Sequence, residues 1–197
     1  MTLVLASKSS GRRAMLENAG LVFDTDAANV DEESVKEALK AEGAPVERAA
    51  EALAELKARR VSPRHPDAFV LGADSMLECE GRWFDKAQTM AEARAQLVAL
   101  SGREHRLVTS AVLVRGDERI WHHTAVARLT VRALSERFLD DYLAVIGDQA
   151  LSSVGCYQVE GRGLQLFSSI KGDFYAIVGL PMVALLEQLR ALGELPS

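Results

Sequence analysis

The sequence is short of the residues that build disulfide scaffolds, metal clusters and membrane spans. It holds only two cysteines, Cys79 and Cys156, in 197 residues. Two are too few for a disulfide framework, and they lack the paired spacing of a zinc site. No apolar run approaches the roughly 20 residues that cross a bilayer, and the N-terminus lacks the basic region and long apolar stretch of a signal peptide. These absences predict a cytoplasmic protein with no membrane partner.

An excess of basic charge is also missing. The chain has 23 Lys and Arg against 28 Asp and Glu, which gives a formal net charge of -5 and a pI near 5.5. Such a surface repels phosphate at long range, so we expect no nucleic-acid partner, and any phosphate ligand must be held by a local site. The length and the 48% hydrophobic content suit one core, which predicts a single domain over residues 1–197.

Strand-type and helix-type patterns alternate along the chain. Strands are predicted at Leu3–Ala6, Leu21–Asp24 and Leu164–Ile170, and in the apolar run "AFVLGAD". Helices are predicted after Ser9 or Ser10, in the second half of "NVDEESVKEALKAEG", after Pro45, Thr89 and Ser135, and from Pro181 to Gly193. Two β-rich runs between His105 and Arg132 flank "RGDE" as a hairpin. Because a hairpin is antiparallel, the pattern predicts an α/β fold with a mixed sheet.

The opening "LVLASKSSGRR" joins a strand to a helix through serines and two arginines. Hydroxyls and backbone N–H groups at a helix N-terminus bind anions, and Arg12 and Arg13 add forked donors. A simpler interpretation is that the serines only cap the helix and the arginines face solvent. However, positive charge there opposes the helix dipole, which favours a bound anion such as phosphate.

A lysine and several carboxylates are the candidates for chemistry. Lys57 falls on the apolar stripe of its predicted helix, so it either reaches the rim or points into a cleft. Asp74 ends the run "FVLGA", where open α/β sheets place ligands, although it could merely start a turn. As a functional group it would bind a divalent cation or accept a proton from water. Asp31 and Glu32 could share that metal, or could only complement a helix dipole.

Two other patterns carry less weight. "FDTDA" has the Asp-x-Asp of haloacid-dehalogenase-type phosphatases, but Ala28 replaces the expected threonine or valine, and no suitable acidic motif follows. "SGREHRLVT" places Arg103, His105 and Thr109 in a turn before a strand. Neither pattern alone defines a site.

Together these motifs resemble the Maf family of nucleoside triphosphate pyrophosphatases over almost the entire chain. The matching segments are "LASKSSGRR", "VDE", "LKA", "GAD", a following lysine, "SGREH" with Thr109, and "VGLP". The resemblance implies that Asp74 is the catalytic acid or base and that Glu32 and Asp74 bind a divalent cation, Mg²⁺ or Mn²⁺. It also implies a set of residues that hold the nucleotide: Ser7, Ser9, Arg12, Arg13, Lys57, Lys86, Arg103 and His105.

The resemblance also implies a fold and an activity. The expected fold is a twisted mixed sheet with flanking helices and a deep nucleotide-binding cleft, similar to inosine triphosphate pyrophosphatases, often in a homodimer. The expected reaction hydrolyses the α-β phosphoanhydride of a non-standard nucleoside triphosphate, giving a monophosphate and pyrophosphate. The family is linked to septum formation and cell-division arrest, so the alternative is a nucleotide-sensing regulator of division without turnover.

Departures from the family pattern bear on specificity. Members usually have Gly-Lys-Pro where this chain reads "FDKAQ", so Lys86 is kept without its turn residues. Glu160 in "CYQVEG" resembles the branch that acts on 7-methyl-GTP, because a carboxylate can accept from the guanine N1–H and amino edge and favours a positively charged ring. Gly11 and Ser75 are the other expected specificity positions, and they do not follow one branch.

Overall fold

The computed structural model describes residues 2–196. Within them the chain forms seven strands and seven α-helices, joined in places by short 3₁₀ turns, in the order β1 (Leu3–Leu5), α1 (Ser10–Asn18), β2 (Asp24–Thr25), α2 (Glu32–Ala41), α3 (Val46–Val61), β3 (Phe69–Cys79), β4 (Arg82–Phe84), α4 (Met90–Leu100), β5 (Glu104–Arg115), β6 (Glu118–Val131), α5 (Glu136–Ile146), β7 (Phe167–Lys171), α6 (Phe174–Val178) and α7 (Met182–Ala191). In this part of the chain no helix combines the length and the apolar character needed to cross a membrane.

The strands form one mixed sheet. Their order is β2-β1-β3-β5-β6-β7, and β4 pairs with β3. β1 is parallel to both β2 and β3, whereas β4 is antiparallel to β3 and β7 is antiparallel to β6. The predicted α/β class with a mixed sheet is therefore confirmed.

The described residues divide into two compact units. The first comprises residues 2–75, 109–125 and 173–196, and the second comprises 76–108 and 126–172. Three of the four boundaries fall inside β3, β5 and β6, and the fourth lies between β7 and α6. A single domain over the whole chain, and a deep cleft within it, stay predictions.

The core of the first unit lies on both faces of β1. Alternate strand residues point to opposite faces, so Leu3 and Leu5 pack with α1 and α7 while Val4 packs with α3. Gly72 of β3 lets α3 approach closely, because a Cβ there would collide with the Ala54 carbonyl and lie 2.8 Å from the Ala58 nitrogen. This contact fixes the helix that carries Lys57 against the strand that carries Asp74.

Helix starts match the capping predictions. The side chains of Ser9, Thr89 and Ser135 accept N–H bonds from the first turns of α1, α4 and α5. α2, α3 and α7 also form where helices are predicted, and Gly193 after α7 has φ +73°.

Strand boundaries differ from the predictions for local reasons. Residues 21–23 are not strand, because the Leu21 N–H still bonds the Leu16 carbonyl as the chain leaves α1 through Gly20. Residues 162–166 form a 3₁₀ helix, so β7 begins only at Phe167. β3 continues to Cys79, and a tight turn at Glu80 and Gly81, both with positive φ, returns the chain into the unpredicted β4.

The second unit has its own buried side chains. They include Leu77, Leu97, Leu129, Leu139 and Tyr142. Cys79 and Cys156 are both buried and free, as the cysteine count predicts.

Candidate active site

Lys57 is buried in the first unit and shared between two carboxylates. It is 8% exposed, and its Nζ lies 2.6 Å from Asp74 Oδ1 and 2.9 Å from Glu32 Oε1. Ala54 and Ala58, fully buried around it on α3, hold this part of the helix against the sheet. Lys57 therefore does not extend to a solvent-exposed rim, and its ammonium links α2, α3 and β3.

Asp74 lies within β3, not at its end. The ladder with β1 runs only from Phe69 to Leu71, so Asp74 lies beyond the last residue that β1 pairs. Asp74 therefore lies just beyond the carboxyl end of the shorter parallel strand, β1. The prediction placed it at the carboxyl end of a strand, where open α/β sheets bind ligands. Asp74 is 6% exposed, and within residues 2–196 its buried Oδ2 has no hydrogen-bond partner.

Arg12 is fixed by a network of hydroxyl and carbonyl groups. Its Nε donates to the Gly179 carbonyl at 2.9 Å, and its terminal nitrogens donate to Ser7 Oγ at 3.4 Å and Ser75 Oγ at 3.3 Å. Ser75 Oγ in turn lies 3.0 Å from the buried Thr109 hydroxyl. The guanidinium is thus held at the serine loop that links β1 to α1.

The charge of Arg12 interacts with the charges of the carboxylates that bind Lys57. Burial lowers the pKa of Arg12, and the negative charges of Asp74 and Glu32 oppose this shift. An arginine keeps its proton under such a shift, because its ordinary pKa lies far above neutrality. The serine loop and the carboxylate pair therefore form one electrostatic site in the first unit.

The carboxylates of this site fit a divalent cation of the Mg²⁺ type. Mg²⁺ is commonly held by one or two carboxylates, with substrate phosphates and water filling the other positions. Asp74 supplies a buried carboxylate oxygen without a protein partner, and Glu32 supplies a second carboxylate. Among the residues that the structure describes, no group of three or more His, Cys, Asp or Glu could hold a metal ion, so phosphate oxygens would have to complete the site.

The other predicted residues of the first unit differ in position. Ser9 caps α1 and is half-buried beside Ser7. Arg13 is exposed and forms an ion pair with Glu17 at 2.8 Å. Gly11 has room for a side chain, since a Cβ would meet nothing closer than 3.9 Å. Ser75 contacts Arg12, which gives it a positioning contact in addition to its predicted role in specificity.

Four predicted residues belong to the second unit. Lys86 is exposed after β4, and Glu160 is exposed in the turn before the 3₁₀ helix at residues 162–166. Arg103 is exposed and lies 3.2 Å from Glu80. Nothing tests the roles of these three residues, which stay predictions.

His105, the fourth, is buried in an aromatic cluster. It is 1% exposed, its Nε2 lies 2.7 Å from the Tyr157 hydroxyl, and both rings pack against Phe167. Burial lowers the pKa of His105 to about 4, so the ring is neutral at pH 7. Its predicted contact with a nucleotide stays a prediction, and its surroundings are those of a packing residue.

Sequence reasoning missed two glycines. Gly179 supplies the carbonyl that holds Arg12, at a φ of +131° that favours glycine. Gly72 lets α3 pack closely against β3, because a Cβ at this position would collide with the Ala54 carbonyl. Both lie in the quoted segments "VGLP" and "GAD", and a glycine within an otherwise apolar strand is a signal for close backbone approach.

The second aspartate of the phosphatase-like pattern, Asp26, is engaged by two basic neighbours. Asp26 of "FDTDA" accepts two hydrogen bonds from Arg64, each 2.8 Å, and a third contact of 2.9 Å joins it to His65. These partners lower the pKa of Asp26 to about 2. Asp26 therefore forms an ion pair with Arg64 that links two parts of the chain.

Fold and site together define an α/β protein with a buried lysine-carboxylate cluster beside a serine and arginine loop. The chain belongs to the Maf-like protein family, whose sequence profile matches residues 2–192. The family predicted from the motifs is therefore confirmed.

Individual relatives are similar over nearly their whole length. The chain is 54% identical to a nucleoside triphosphate pyrophosphatase of Paramagnetospirillum magneticum, covering 98% of this chain and 99% of the relative. It is 48% identical to a 7-methyl-GTP pyrophosphatase of Rhizobium meliloti, covering 99% and 98%. A solved dITP/XTP pyrophosphatase of Mycobacterium abscessus is 18% identical at a TM-score of 0.44, covering 100% of this chain and 98% of the other, a likeness too low to bear on function.

Proposed function

We propose that this protein is a nucleoside triphosphate pyrophosphatase that hydrolyses the α-β phosphoanhydride bond. The observation that carries the proposal is Asp74, whose Oδ1 is held by Lys57 while Oδ2 is buried and without a protein partner among residues 2–196. A carboxylate that is fixed at one oxygen and has no protein partner at the other is suited to accept a proton from a water bound beside it. The relatives named as nucleoside triphosphate pyrophosphatases and 7-methyl-GTP pyrophosphatases support the same activity.

The serine loop would bind the polyphosphate. Ser7, Ser9 and the N-terminus of α1 offer hydroxyl and N–H donors, and Arg12 offers a guanidinium whose orientation its protein partners fix. Lys57 adds a second positive charge. Arg13 is proposed to add charge from an exposed position, and the roles of Lys86, Arg103 and His105 stay predictions.

The reaction needs a water, a base and stabilisation of the leaving group. Water forms a bond to phosphorus as the bridging P–O bond breaks, Asp74 takes the water proton, and pyrophosphate leaves with the bond electrons. Arg12 and Lys57 stabilise the charge that grows on the departing oxygens. A divalent cation held by Asp74 and Glu32 would withdraw charge from the phosphoryl oxygens when bound.

Base preference is proposed to depend on Glu160. Its side chain is exposed, as a residue that reads a ligand must be. A carboxylate suits the donor edge of guanine and the positive charge of an N7-methylated ring, so 7-methyl-GTP is the preferred candidate. Cytoplasmic location, a homodimer, the absence of a nucleic-acid partner and a role in septum formation remain predictions.

A substrate panel tests the proposal. Purified protein with Mg²⁺ or Mn²⁺ is incubated with dTTP, UTP, GTP and 7-methyl-GTP, and pyrophosphate is assayed separately from orthophosphate. We expect pyrophosphate and nucleoside monophosphate in equal amounts, fastest with 7-methyl-GTP. Release of orthophosphate alone would favour the phosphatase hypothesis. Nucleotide binding without any product would favour the nucleotide-sensing regulator, which no relative's name supports.

A further inference from the structure

Lys57 is bonded to the same two carboxylates that are the proposed cation ligands. Its Nζ lies 2.6 Å from Asp74 Oδ1 and 2.9 Å from Glu32 Oε1, and the side chain is 8% exposed. An ammonium in this position is the counter-ion of both carboxylates. A divalent cation that binds both must therefore compete with Lys57 for them.

The formal charge of the site disfavours a free cation. Lys57 and Arg12 carry two positive charges, and Asp74 and Glu32 carry two negative charges that act on Arg12. These charges cancel, so a dication entering alone meets no excess of negative charge. It would also leave the buried ammonium of Lys57 without its partners, which is costly because a buried charge needs compensation.

A triphosphate changes both conditions. It brings several negative charges to the site, and its oxygens can accept hydrogen bonds from Lys57 Nζ in place of the carboxylates. The departure of Lys57 removes a competitor for the oxygens of Asp74 and Glu32, which are hard ligands of the kind that such a cation prefers, and the phosphates supply the others.

We propose that the free protein does not bind a divalent cation at this site and that its ligand is the metal-triphosphate complex, with Lys57 passing from the carboxylates to the phosphates as that complex binds. The inference rests on the proposed function and deepens it by naming the form of the substrate. It assigns Lys57 two successive partners, the carboxylate pair in the free protein and the polyphosphate in the complex.

Equilibrium dialysis with Mn²⁺ tests this order on the whole chain. Wild-type protein is dialysed against Mn²⁺ alone, and then against Mn²⁺ with a nucleoside triphosphate analogue that carries a methylene group between the α and β phosphorus atoms. We expect retained Mn²⁺ only with the analogue, at about one ion per bound nucleotide. Retention of Mn²⁺ by the wild type alone, as tightly as with the analogue, would overturn the inference and leave the proposed function standing.

A charge-removing variant sharpens the test. Lys57→Met keeps an unbranched side chain but removes the ammonium, so free variant protein should bind Mn²⁺ at least ~10-fold more tightly than wild type. Mn²⁺ alone should also raise the melting temperature of Lys57→Met and not that of the wild type. Lys40→Met, which removes an exposed lysine of α2, is the control for the change in net charge and should behave as wild type.

The remaining outcomes are also decisive. If Lys57→Met binds Mn²⁺ no better than wild type, the competition between ammonium and cation is wrong. If the analogue does not bind to wild-type protein at all, with or without Mn²⁺, the proposed function fails and the inference fails with it. If Lys57→Met does not fold, the wild-type comparison with and without analogue still decides the order.

Discussion

Two polar clusters, one in each unit, differ in how they compensate the polar side chains that they bury. In the first unit Lys57, Asp74 and Glu32 keep opposite charges in contact, beside a half-buried Arg12. In the second unit His105 and Tyr157 form one contact of 2.7 Å between groups that are neutral at pH 7. A buried ion pair contributes little to stability relative to apolar packing, because the two charges must be desolvated. A hydrogen bond between neutral groups has a smaller desolvation cost.

The comparison therefore contrasts the cluster proposed for catalysis with one whose surroundings are those of a packed core. In the charged cluster Asp74 Oδ2 has no hydrogen-bond partner among residues 2–196, which suits the proposed proton transfer. His105 also has a buried nitrogen, Nδ1, without a partner among the described residues, yet its ring is enclosed by Tyr157 and Phe167. We expect substitutions in the first cluster to change catalysis and stability together, and those in the second to change mainly stability.

The largest stability effect is expected from Lys57→Met. Removal of the ammonium takes the hydrogen-bonded counter-ion from the buried carboxylate of Asp74, so the free energy of unfolding should fall by about 3–5 kcal/mol at pH 7. Urea unfolding followed by circular dichroism measures this. His105→Leu is the comparison from the second cluster and should lose less, about 1–3 kcal/mol, because it strands only the Tyr157 hydroxyl. The reverse order would remove the distinction between the clusters.

The next effect comes from the contact that joins α3 to β3. Gly72→Ala places a Cβ against the Ala54 carbonyl, which is backbone and cannot rotate away, so we expect a loss of about 3 kcal/mol. Pyrophosphate release should fall as well, because Lys57 and Asp74 lie on the two elements that are pushed apart. Gly11→Ala, in α1 with open space around it, should be neutral or stabilising by up to ~1 kcal/mol. Equal effects at both glycines would contradict the close approach.

The pH dependence of stability tests the second cluster. The pKa of His105 is lowered by burial from 6.5 to about 4, so between these values the unfolded chain binds more protons than the folded one. Stability should therefore fall as pH decreases through this window, by about 2 kcal/mol from pH 6.5 to 5. Denaturant unfolding at both pH values should show a smaller loss in His105→Leu than in wild type. If the free energy of unfolding of His105→Leu falls between the two pH values as much as that of the wild type, other groups cause the loss.

The smallest predicted effect distinguishes two neighbouring arginines. Arg12 makes three hydrogen bonds through its guanidinium, whereas exposed Arg13 forms an ion pair with Glu17. Arg12→Lys should raise the KM for the triphosphate about 10-fold, equivalent to about 1.4 kcal/mol, because a lysine cannot reproduce the fork. Arg13→Lys should change KM less than about 2-fold. A larger effect at Arg13 would show that its side chain leaves Glu17 to bind phosphate.

Much of the fold could be predicted because local signals agreed with it. Ser9, Thr89 and Ser135 mark helix starts through their own side chains, and the sheet is mixed as the hairpin pattern requires. The length of β3 could not be predicted, since Asp74 and Ser75 interrupt the apolar run while the strand continues through them. In a sequence, polar residues inside a strand resemble the end of that strand, because the sequence does not show the site that accommodates their side chains.

The contacts within the candidate site could not be predicted from the sequence. Lys57 and Asp74 are 17 positions apart, and only the packing of α3 on β3 through Gly72 brings them to 2.6 Å. The carbonyl of Gly179 lies 167 positions from Arg12, and a backbone acceptor leaves no side-chain signal in the sequence. The burial of His105 against the rings of Tyr157 and Phe167 was likewise not predictable, and its nucleotide contact, which the family resemblance implies, stays a prediction.

The most direct measurement of the central claim compares Asp74→Asn with wild type for turnover and affinity in the same preparation. Asparagine keeps the shape of the side chain but cannot accept the water proton, so kcat for pyrophosphate release should fall by about 10²–10⁴-fold. The affinity for the α,β-methylene analogue, measured by calorimetry in the presence of Mg²⁺, should change far less than kcat. If kcat is retained, Asp74 is not the base, and if turnover and affinity fall by equal factors, its role is in binding alone.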